Sequence, residues 1–279
     1  MGDPGDSCSS LYQGCPDVDR PDAAIRAFEL PWASVRGATI RGVLHYAQGG
    51  PGQDSFSIGL GQAKDSVLVV VCDGVGSCAD SHEGSSLAAH VALTTLKSGA
   101  DPSESILAAN VALSAFAERE PAKAFATTIV AAEIRFRSEE CGGLIGRIAW
   151  LGDSSAWTLH GGVWAQLAGD GDPVSKTGSS VGIPQGSPVP KTQDVETFGP
   201  VFLFTDGISD CLYPGATTQR ALAEWWEQPP DPYLFASQVA LRNRGRLDDR
   251  TAVGVWPRST TFTTASAAHL SDNRADELT

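Results

Sequence analysis

The feature that most constrains this fold is a series of short β-branched and aromatic runs separated by Gly, Asp and Pro. Runs of this kind are typical of β-strands. The predicted strands are residues 33–44, 55–60, 66–73, 127–136, 143–153, 155–167, 201–206 and 251–256. Within residues 155–167, the pair Gly161-Gly162 predicts a hairpin turn.

Helical segments interrupt the strand series at two places. The predicted helices are residues 84–98, 102–119, 217–227 and 232–244. The sequence "DPSE" predicts the start of the second helix, with Asp101 as cap, Pro102 in the first turn and Glu104 closing a capping box. Two helices, then consecutive strands, then two helices is not βαβ alternation. This order predicts an α+β fold of mostly antiparallel sheets with helices packed outside them.

A single domain over residues 31–256 is the simplest division of the 279 residues. Residues 1–30 and 257–279 are polar and are predicted to be a flexible lead-in and a flexible tail. The chain is expected to be a monomer.

Composition excludes several classes of protein. The formal charge of -13 argues against a nucleic-acid surface, which needs clustered Lys and Arg. No run approaches the roughly 18 apolar residues of a membrane span, and the start of the chain lacks the pattern of a secretory signal. The six cysteines show no CxxC or zinc-like spacing, so a reduced, cytoplasmic protein is expected. Pairing of Cys8 with Cys15 is the alternative for the lead-in.

Five aspartates lie at the ends of predicted strands. They are Asp54, Asp73, Asp153, Asp206 and Asp248. Each one alone is explained as a turn residue, because Asp and Gly are a common turn pair. Together they indicate more, since a carboxylate at the end of a buried strand is costly unless it is paired or binds a metal. Oxygen ligands without His or Cys suit Mg²⁺ or Mn²⁺ rather than zinc.

Six sequence blocks, in order, resemble the metal-dependent protein phosphatase family of type 2C. The blocks are "QDSF" (53–56), "DGVGS" (73–77), "ATTIVAA" (126–132), "LGDSSAW" (151–157), "FTDGISD" (204–210) and "DDRTAVGV" (248–255). The pattern Gly42, His45, Gly49, Pro51, Gln53, Asp54 is similar to a bacterial branch of that family with a QD opening motif. The resemblance covers roughly residues 33–256.

The resemblance implies a four-layer α/β/β/α sandwich and a phosphoserine and phosphothreonine phosphatase. In the family, two divalent cations share a bridging aspartate and activate a bridging water. By this resemblance Asp73 is the bridging residue, with the Gly74 carbonyl as a ligand beside it. Asp206 and Asp248 complete the first metal site, and Asp54 binds metal directly or through water. Asp153 matches a third, weaker site that bacterial members have.

Three departures from the family pattern concern the phosphate and the second metal. Gln53 stands where many relatives have a carboxylate, and Val75 stands where some relatives have a general-acid histidine. The phosphate-clasping arginine of some members has no counterpart in "AQGGPGQD". Arg36, Arg41 and His45 are the candidate substitutes. His82 is expected to be solvated.

The segment 168–194 is rich in Gly, Ser and Pro and falls where the family has a mobile flap. Bacterial members of this branch tend to act with a Ser/Thr kinase, so the expected substrate is a protein that such a kinase phosphorylates. Two other functions stay open. One is a catalytically weak or inactive relative that serves as a binding module, which Gln53 favours. The other is a different two-metal hydrolase, such as a nucleotidase.

Overall fold

The structure is a computed structural model that describes residues 21–137, 142–170, 182–212, 217–241 and 247–258. Cys8, Cys15, nearly all of the predicted tail and the middle of the predicted flap lie outside these ranges. Within them, every pair of neighbouring strands in the two sheets is antiparallel.

The larger sheet, sheet A, has six strands in the order β1-β2-β11-β10-β7-β8. Its strands are β1 (Ala23–Glu29), β2 (Ala33–Ile40), β7 (Ser155–His160), β8 (Val163–Ala168), β10 (Val201–Phe204) and β11 (Arg250–Pro257). The hairpin β7–β8 turns at Gly161 and Gly162, which both have positive φ angles, as predicted.

The smaller sheet, sheet B, has five strands in the order β3-β4-β5-β6-β9. Its strands are β3 (Ser55–Leu60), β4 (Ser66–Cys72), β5 (Ile129–Phe136), β6 (Leu144–Leu151) and β9 (Lys191–Thr197). All seven residues of β4 are buried, because sheet A covers one face of this strand and helices cover the other.

Six helices lie in the described residues. They are α1 (Val43–Gln48), α2 (Ser81–Lys97), α3 (Pro102–Arg119), α4 (Asp206–Ser209), α5 (Thr217–Trp226) and α6 (Pro232–Val239). The predicted capping box opens α3: the Asp101 side chain accepts from the Ser103 N–H, and the Glu104 side chain accepts from the Asp101 N–H, both at 2.9 Å. None of these helices is long and apolar enough to cross a membrane.

Three apolar cores separate four layers. One core lies between the two sheets and contains Val35 and Val255 of sheet A against Val69 and Ile148 of sheet B. A second joins sheet A to α4, α5 and α6 around Trp226. The third joins sheet B to α2 and α3. The predicted α/β/β/α sandwich is therefore confirmed.

Three elements differ from the sequence prediction. The sequence predicts residues 23–29 as part of a flexible lead-in, but they form β1 and pair with β2. It predicts residues 43–44 as the end of a strand, but they begin α1, which ends before Gly49 with φ 70°. It predicts residues 191–194 as part of the flap, but they begin β9.

The described part of the predicted flap is also held to the body of the protein. Ile183 and Thr127 exchange two backbone hydrogen bonds, of 2.8 and 2.9 Å. The Asn110 side chain accepts from the Gln185 N–H at 2.8 Å and donates to its carbonyl at 3.0 Å. Residues 182–185 are thus fixed against the end of β5 and against α3, and residues 171–181 lie outside the described chain.

Candidate metal centre

The five strand-end aspartates lie at one end of the sandwich. Asp73 follows Cys72, whose partner in β3 is Ser55, and Asp54 precedes that serine. Asp206 and Asp248 flank the paired ends of β10 and β11, where Phe204 pairs with Ala252. Asp153 follows β6, whose last residue pairs with the first residue of β5. Antiparallel pairing explains this convergence, because one strand ends where its neighbour begins.

The Asp73 carboxyl is surrounded by negative charge. Burial raises its pKa well above the usual 3.8, and the charges of Asp54, Asp206, Asp248 and Asp153 raise it further. Each of the other four predicted carboxylates thus lies close enough to act on Asp73. Such a cluster is costly in a protein interior unless a cation neutralises it.

The loop that carries Asp73 is held by the block "ATTIVAA". The Asp73 carbonyl accepts hydrogen bonds from the Thr128 N–H and the Thr127 hydroxyl, both at 2.8 Å. Gly74 is needed because a Cβ there would lie 2.6 Å from the Gln53 carbonyl oxygen and 3.0 Å from Ser81 Cβ. The strand end, the loop and the start of α2 therefore pack with no space for a side chain at position 74.

Asp54 connects the two sheets. Its Oδ2 accepts hydrogen bonds from the hydroxyls of Thr205 and Thr251, both at 2.8 Å. Thr205 also accepts from the Thr251 N–H at 3.0 Å. Burial and the Asp249 charge raise the Asp54 pKa well above 3.8, although the two threonine hydrogen bonds act to lower it. The two threonines therefore hold a buried carboxyl of sheet B against sheet A.

No role for Thr205 or Thr251 is predicted from the sequence. Both are fully buried, Thr205 directly after β10 and Thr251 within β11, at positions where a hydroxyl needs a partner. Thr205 directly precedes Asp206, and Thr251 lies three residues after Asp248. A threonine at the end of a buried strand and close in sequence to a predicted metal ligand is the sequence signal for both residues.

We expect Thr205→Val to lower the free energy of unfolding by about 2 kcal/mol, because it removes one donor to a carboxyl and one acceptor for a buried N–H. Urea unfolding monitored by circular dichroism measures the change. Thr94→Val is the matched control, since the Thr94 hydroxyl is exposed and donates to the His90 carbonyl within α2. Equal stability of the two variants would contradict this role of Thr205.

Asp249 is the buried member of the Asp248-Asp249 pair. Its carboxylate accepts from the N–H groups of Gly42 and Gln53, and the His45 Nδ1 atom lies 3.0 Å from its Oδ1. Burial alone would raise the Asp249 pKa, but the hydrogen bonds from His45, Gly42 and Gln53 outweigh it and lower the pKa below 3.8. The hydrogen bond to Asp249 in turn raises the His45 pKa above 6.5.

Among the described residues, one group of three ligand-type side chains has donor atoms all within 4.8 Å of one another: His45, Asp248 and Asp249. The Asp249 carboxylate already accepts hydrogen bonds from two N–H donors and from His45. Asp248 is exposed, and its charge acts on Asp73. We therefore interpret His45 and Asp249 as the support of the centre and Asp248 as a member of it.

The other two candidate phosphate-binding side chains, Arg36 and Arg41, are paired with carboxylates. Arg36 is buried, pairs with Glu29 at 2.6 Å and donates to the Pro230 carbonyl at 2.8 Å. Arg41 pairs with Asp22 at 2.7 Å. His82, which the sequence predicts to be solvated, is instead half-buried in the first turn of α2.

Gln53 bears on how the centre is completed. Its Oε1 atom is buried and has no hydrogen-bond partner among the described residues. Its Nε2 atom donates to the Cys78 carbonyl at 3.4 Å. A buried amide oxygen without a donor is suited to a cation or to the water around one.

Comparison with known proteins agrees with this fold. A family model described as protein phosphatase 2C matches residues 41–240, so the chain belongs to the protein phosphatase 2C family. The predicted family and enzyme class, a metal-dependent serine/threonine protein phosphatase, are confirmed. The narrower assignment to the branch with the QD opening motif stays a prediction. None of the curated proteins matches the sequence.

Three solved structures show the same fold. A bacterial serine phosphatase is 18% identical with a TM-score of 0.63, over 80% of this chain and 97% of that one. Stp1, a serine/threonine phosphatase from Staphylococcus aureus, is 17% identical with a TM-score of 0.60, over 84% and 94%. The catalytic domain of the serine threonine protein phosphatase PstP, in complex with two manganese ions, is 22% identical with a TM-score of 0.61, over 81% and 98%.

Proposed function

We propose that this protein hydrolyses phosphoserine and phosphothreonine in proteins with two Mg²⁺ or Mn²⁺ ions held at the Asp73 end of the sandwich. The observation that carries the proposal is the half-buried Asp73 carboxyl, whose pKa is raised by burial and by the charges of four other carboxylates. The largest influences on its pKa besides burial are all negative charges, and none is a basic side chain. Divalent cations are the natural partners of such a cluster.

The residues present fit the ions in three respects. The donors are hard carboxylate oxygens, which suit Mg²⁺ and Mn²⁺. The Gly74 position leaves no space for a side chain, so the backbone carbonyl is the ligand that this residue can offer. The buried Gln53 Oε1 atom has no donor within the described chain. In the proposed arrangement Asp73, Asp206 and Asp248 would hold the ions, and Asp153 would contribute to a further site.

When bound, the ions supply a water of lowered pKa and positive charge that offsets the phosphoryl oxygens. The residues of this chain do the positioning. Thr205 and Thr251 fix the orientation of Asp54. Asp249 fixes the backbone before Asp54 through the Gln53 N–H, and it fixes His45. Val75 offers no proton to the leaving group, so solvent supplies it.

The substrate is proposed to be a phosphoprotein made by a Ser/Thr kinase, in the cytoplasm, with the enzyme acting as a monomer. Membership of the protein phosphatase 2C family supports a phosphoprotein as the substrate. The similar proteins PstP and Stp1 are described as serine/threonine phosphatases. The chain has a net charge of -13, which favours a substrate site whose positive charge comes from bound metal ions.

We expect hydrolysis of para-nitrophenyl phosphate to fall to background after chelation with EDTA and to return when Mn²⁺ is added. We also expect faster turnover of a phosphothreonine peptide than of ATP or AMP. Phosphate release measures both. Turnover that survives chelation would contradict the metal-dependent mechanism, and preferred turnover of nucleotides would indicate a nucleotidase.

A catalytically weak binding module is the second candidate, because Gln53 replaces a carboxylate that many relatives have. Isothermal titration with Mn²⁺ separates the two candidates. Binding of Mn²⁺ without turnover of either phosphate ester would favour the binding module. Binding with turnover would favour the enzyme.

A further inference from the structure

A groove of about 490 Å³ runs between one side of the sandwich and helix α2. Its walls are residues 24–26 of β1, residues 55–58 of β3, and Ser86, Leu93 and Lys97 of α2. We call this surface the edge groove. It does not belong to the candidate metal centre, although Ser55 at one end of it directly follows Asp54.

The edge groove has strand edges in its walls. β1 is the end strand of sheet A and β3 is the end strand of sheet B. In the described chain, no other strand pairs with either free edge. Free strand edges present N–H and C=O groups that can pair with another extended chain.

The charge of the edge groove is opposite to that of the whole protein. Arg26 and Lys97 line it, and none of its lining residues is acidic, although the chain carries a net charge of -13. Both side chains are exposed, and neither forms an ion pair within the described residues. By contrast, Arg36, Arg41 and Lys123 each pair with a carboxylate. Arg26 and Lys97 are thus available to a partner.

The spacing along β3 suits a short extended segment. The Lys97 side chain crosses Gly59, where a Cβ would lie 2.6 Å from Lys97 Cε. Ser55 and Gly59 are four residues apart, which is about 13 Å along a strand. Ile25, which is 41% exposed, and the half-buried Phe56 offer apolar contact between these ends.

We propose that the edge groove binds an extended acidic segment of a partner protein, which pairs with the free edge of β3 and places its carboxylates against Arg26 and Lys97. Strand addition supplies backbone hydrogen bonds between the segment and β3. Because side chains alternate along an extended segment, one face of the segment meets Arg26 and Lys97 and the other face meets Phe56. A second copy of this chain is a poorer occupant, because two bodies with a charge of -13 repel each other.

The test uses a fluorescein-labelled peptide of four Val-Glu repeats and a second peptide with Lys in place of Glu. Fluorescence anisotropy with the full chain is expected to show at least about tenfold tighter binding of the Glu peptide, because charge complementarity sets specificity. The double variant Arg26→Glu/Lys97→Glu is expected to lose at least about tenfold of that affinity. Hydrogen exchange of residues 55–60 is expected to slow in the presence of the Glu peptide.

The matched control is Arg119→Glu/Arg220→Glu, which makes the same change in net charge on exposed helix residues outside the edge groove. This control is expected to bind the Glu peptide within about twofold of the parent. Absent or equal binding of the two peptides would overturn the proposal, and the cations would then serve only to protect the strand edges. A dimer of the parent in sedimentation that Arg26→Glu/Lys97→Glu dissociates would assign the groove to a second copy and would also overturn it.

Discussion

Replacing Asp73 with asparagine is expected to lower manganese-dependent phosphatase turnover by about a thousandfold, because an ion held by this carboxyl supplies several kcal/mol of charge stabilisation in the transition state. Asp206→Asn is expected to behave similarly, since Asp206 is one of the four charges around Asp73. Steady-state hydrolysis of para-nitrophenyl phosphate at saturating Mn²⁺ measures both variants.

The same substitution is expected to stabilise the metal-free protein at neutral pH. Burial and four neighbouring carboxylates raise the Asp73 pKa above 3.8. A carboxyl with a raised pKa contributes stability below the unfolded value, near 4, and that stability is lost as the pH rises through the folded pKa. Asparagine has no charge to repel its neighbours, so the melting temperature at pH 7 should rise by roughly 2–4 °C for each kcal/mol of repulsion removed.

Asp65→Asn is the matched control for both measurements. Asp65 is exposed and lies before β4, at the opposite end of the strand from Asp73. Its substitution should leave turnover and the melting temperature unchanged. Loss of activity together with a lower melting temperature for Asp73→Asn would instead mean that Asp73 is a structural residue. Added Mn²⁺ should raise the melting temperature of the parent and of Asp65→Asn but not that of Asp73→Asn.

The elements that the sequence predicts well are those with strong local signals. The seven residues of β4 are apolar or small and buried, and the Gly161-Gly162 pair allows the positive φ angles of the β7–β8 turn. The Asp101 capping box defines the start of α3 through two local hydrogen bonds. In each case the residues that decide the structure are neighbours in the chain, so their pattern is visible without the fold.

The missed elements depend on contacts that are distant in sequence. β9 has one buried side chain, Val195, and pairs only with β6 at a sheet edge, so its residues show no apolar alternation. β1 is also an end strand and is mostly exposed. The first residues of α1 continue the apolar character of β2, and Leu44 and Tyr46 face solvent. Exposed elements of this kind carry little pattern for sequence analysis to detect.

At the candidate centre, the sequence indicates the carboxylates but not their support. Asp248 and Asp249 are the same residue type at adjacent positions, and only the fold shows that Asp249 is buried beneath the donors of Gly42 and Gln53. Thr205 and Thr251 become partners of Asp54 because the two sheets meet there. Family resemblance predicted the acidic residues, whereas packing of the sheets decides which groups hold them.

Replacing Asp249 with alanine is expected to lower the free energy of unfolding by about 3–5 kcal/mol near pH 6, since the variant leaves a buried charged partner and two N–H groups without an acceptor. Asp249 is 3% exposed and His45 is 6% exposed, so water cannot readily replace the lost carboxylate. Chemical denaturation monitored by tryptophan fluorescence gives the difference.

The pH dependence of that difference follows from the two pKa shifts. The hydrogen bond to Asp249 raises the His45 pKa above 6.5, so this contribution is full below 6.5 and is lost as the pH rises through the raised value. The Asp249 pKa is below 3.8, so its contribution is present above 3.8 and is lost as the pH falls through the lowered value. The destabilisation by Asp249→Ala should therefore be largest between about pH 4 and 6.5 and smaller at pH 9.

Two further variants separate the ion pair from the loss of an acceptor. Asp249→Asn keeps one carbonyl oxygen, so it should cost less than Asp249→Ala and should show a weaker dependence on pH, because it carries no charge to hold the His45 proton. Asp65→Ala, an exposed site, should change the stability by less than about 0.5 kcal/mol. If Asp249→Ala matched Asp65→Ala at pH 6, Asp249 would not be the residue that holds Gly42, Gln53 and His45 together, and the support of Asp54 would have to come from Thr205 and Thr251 alone.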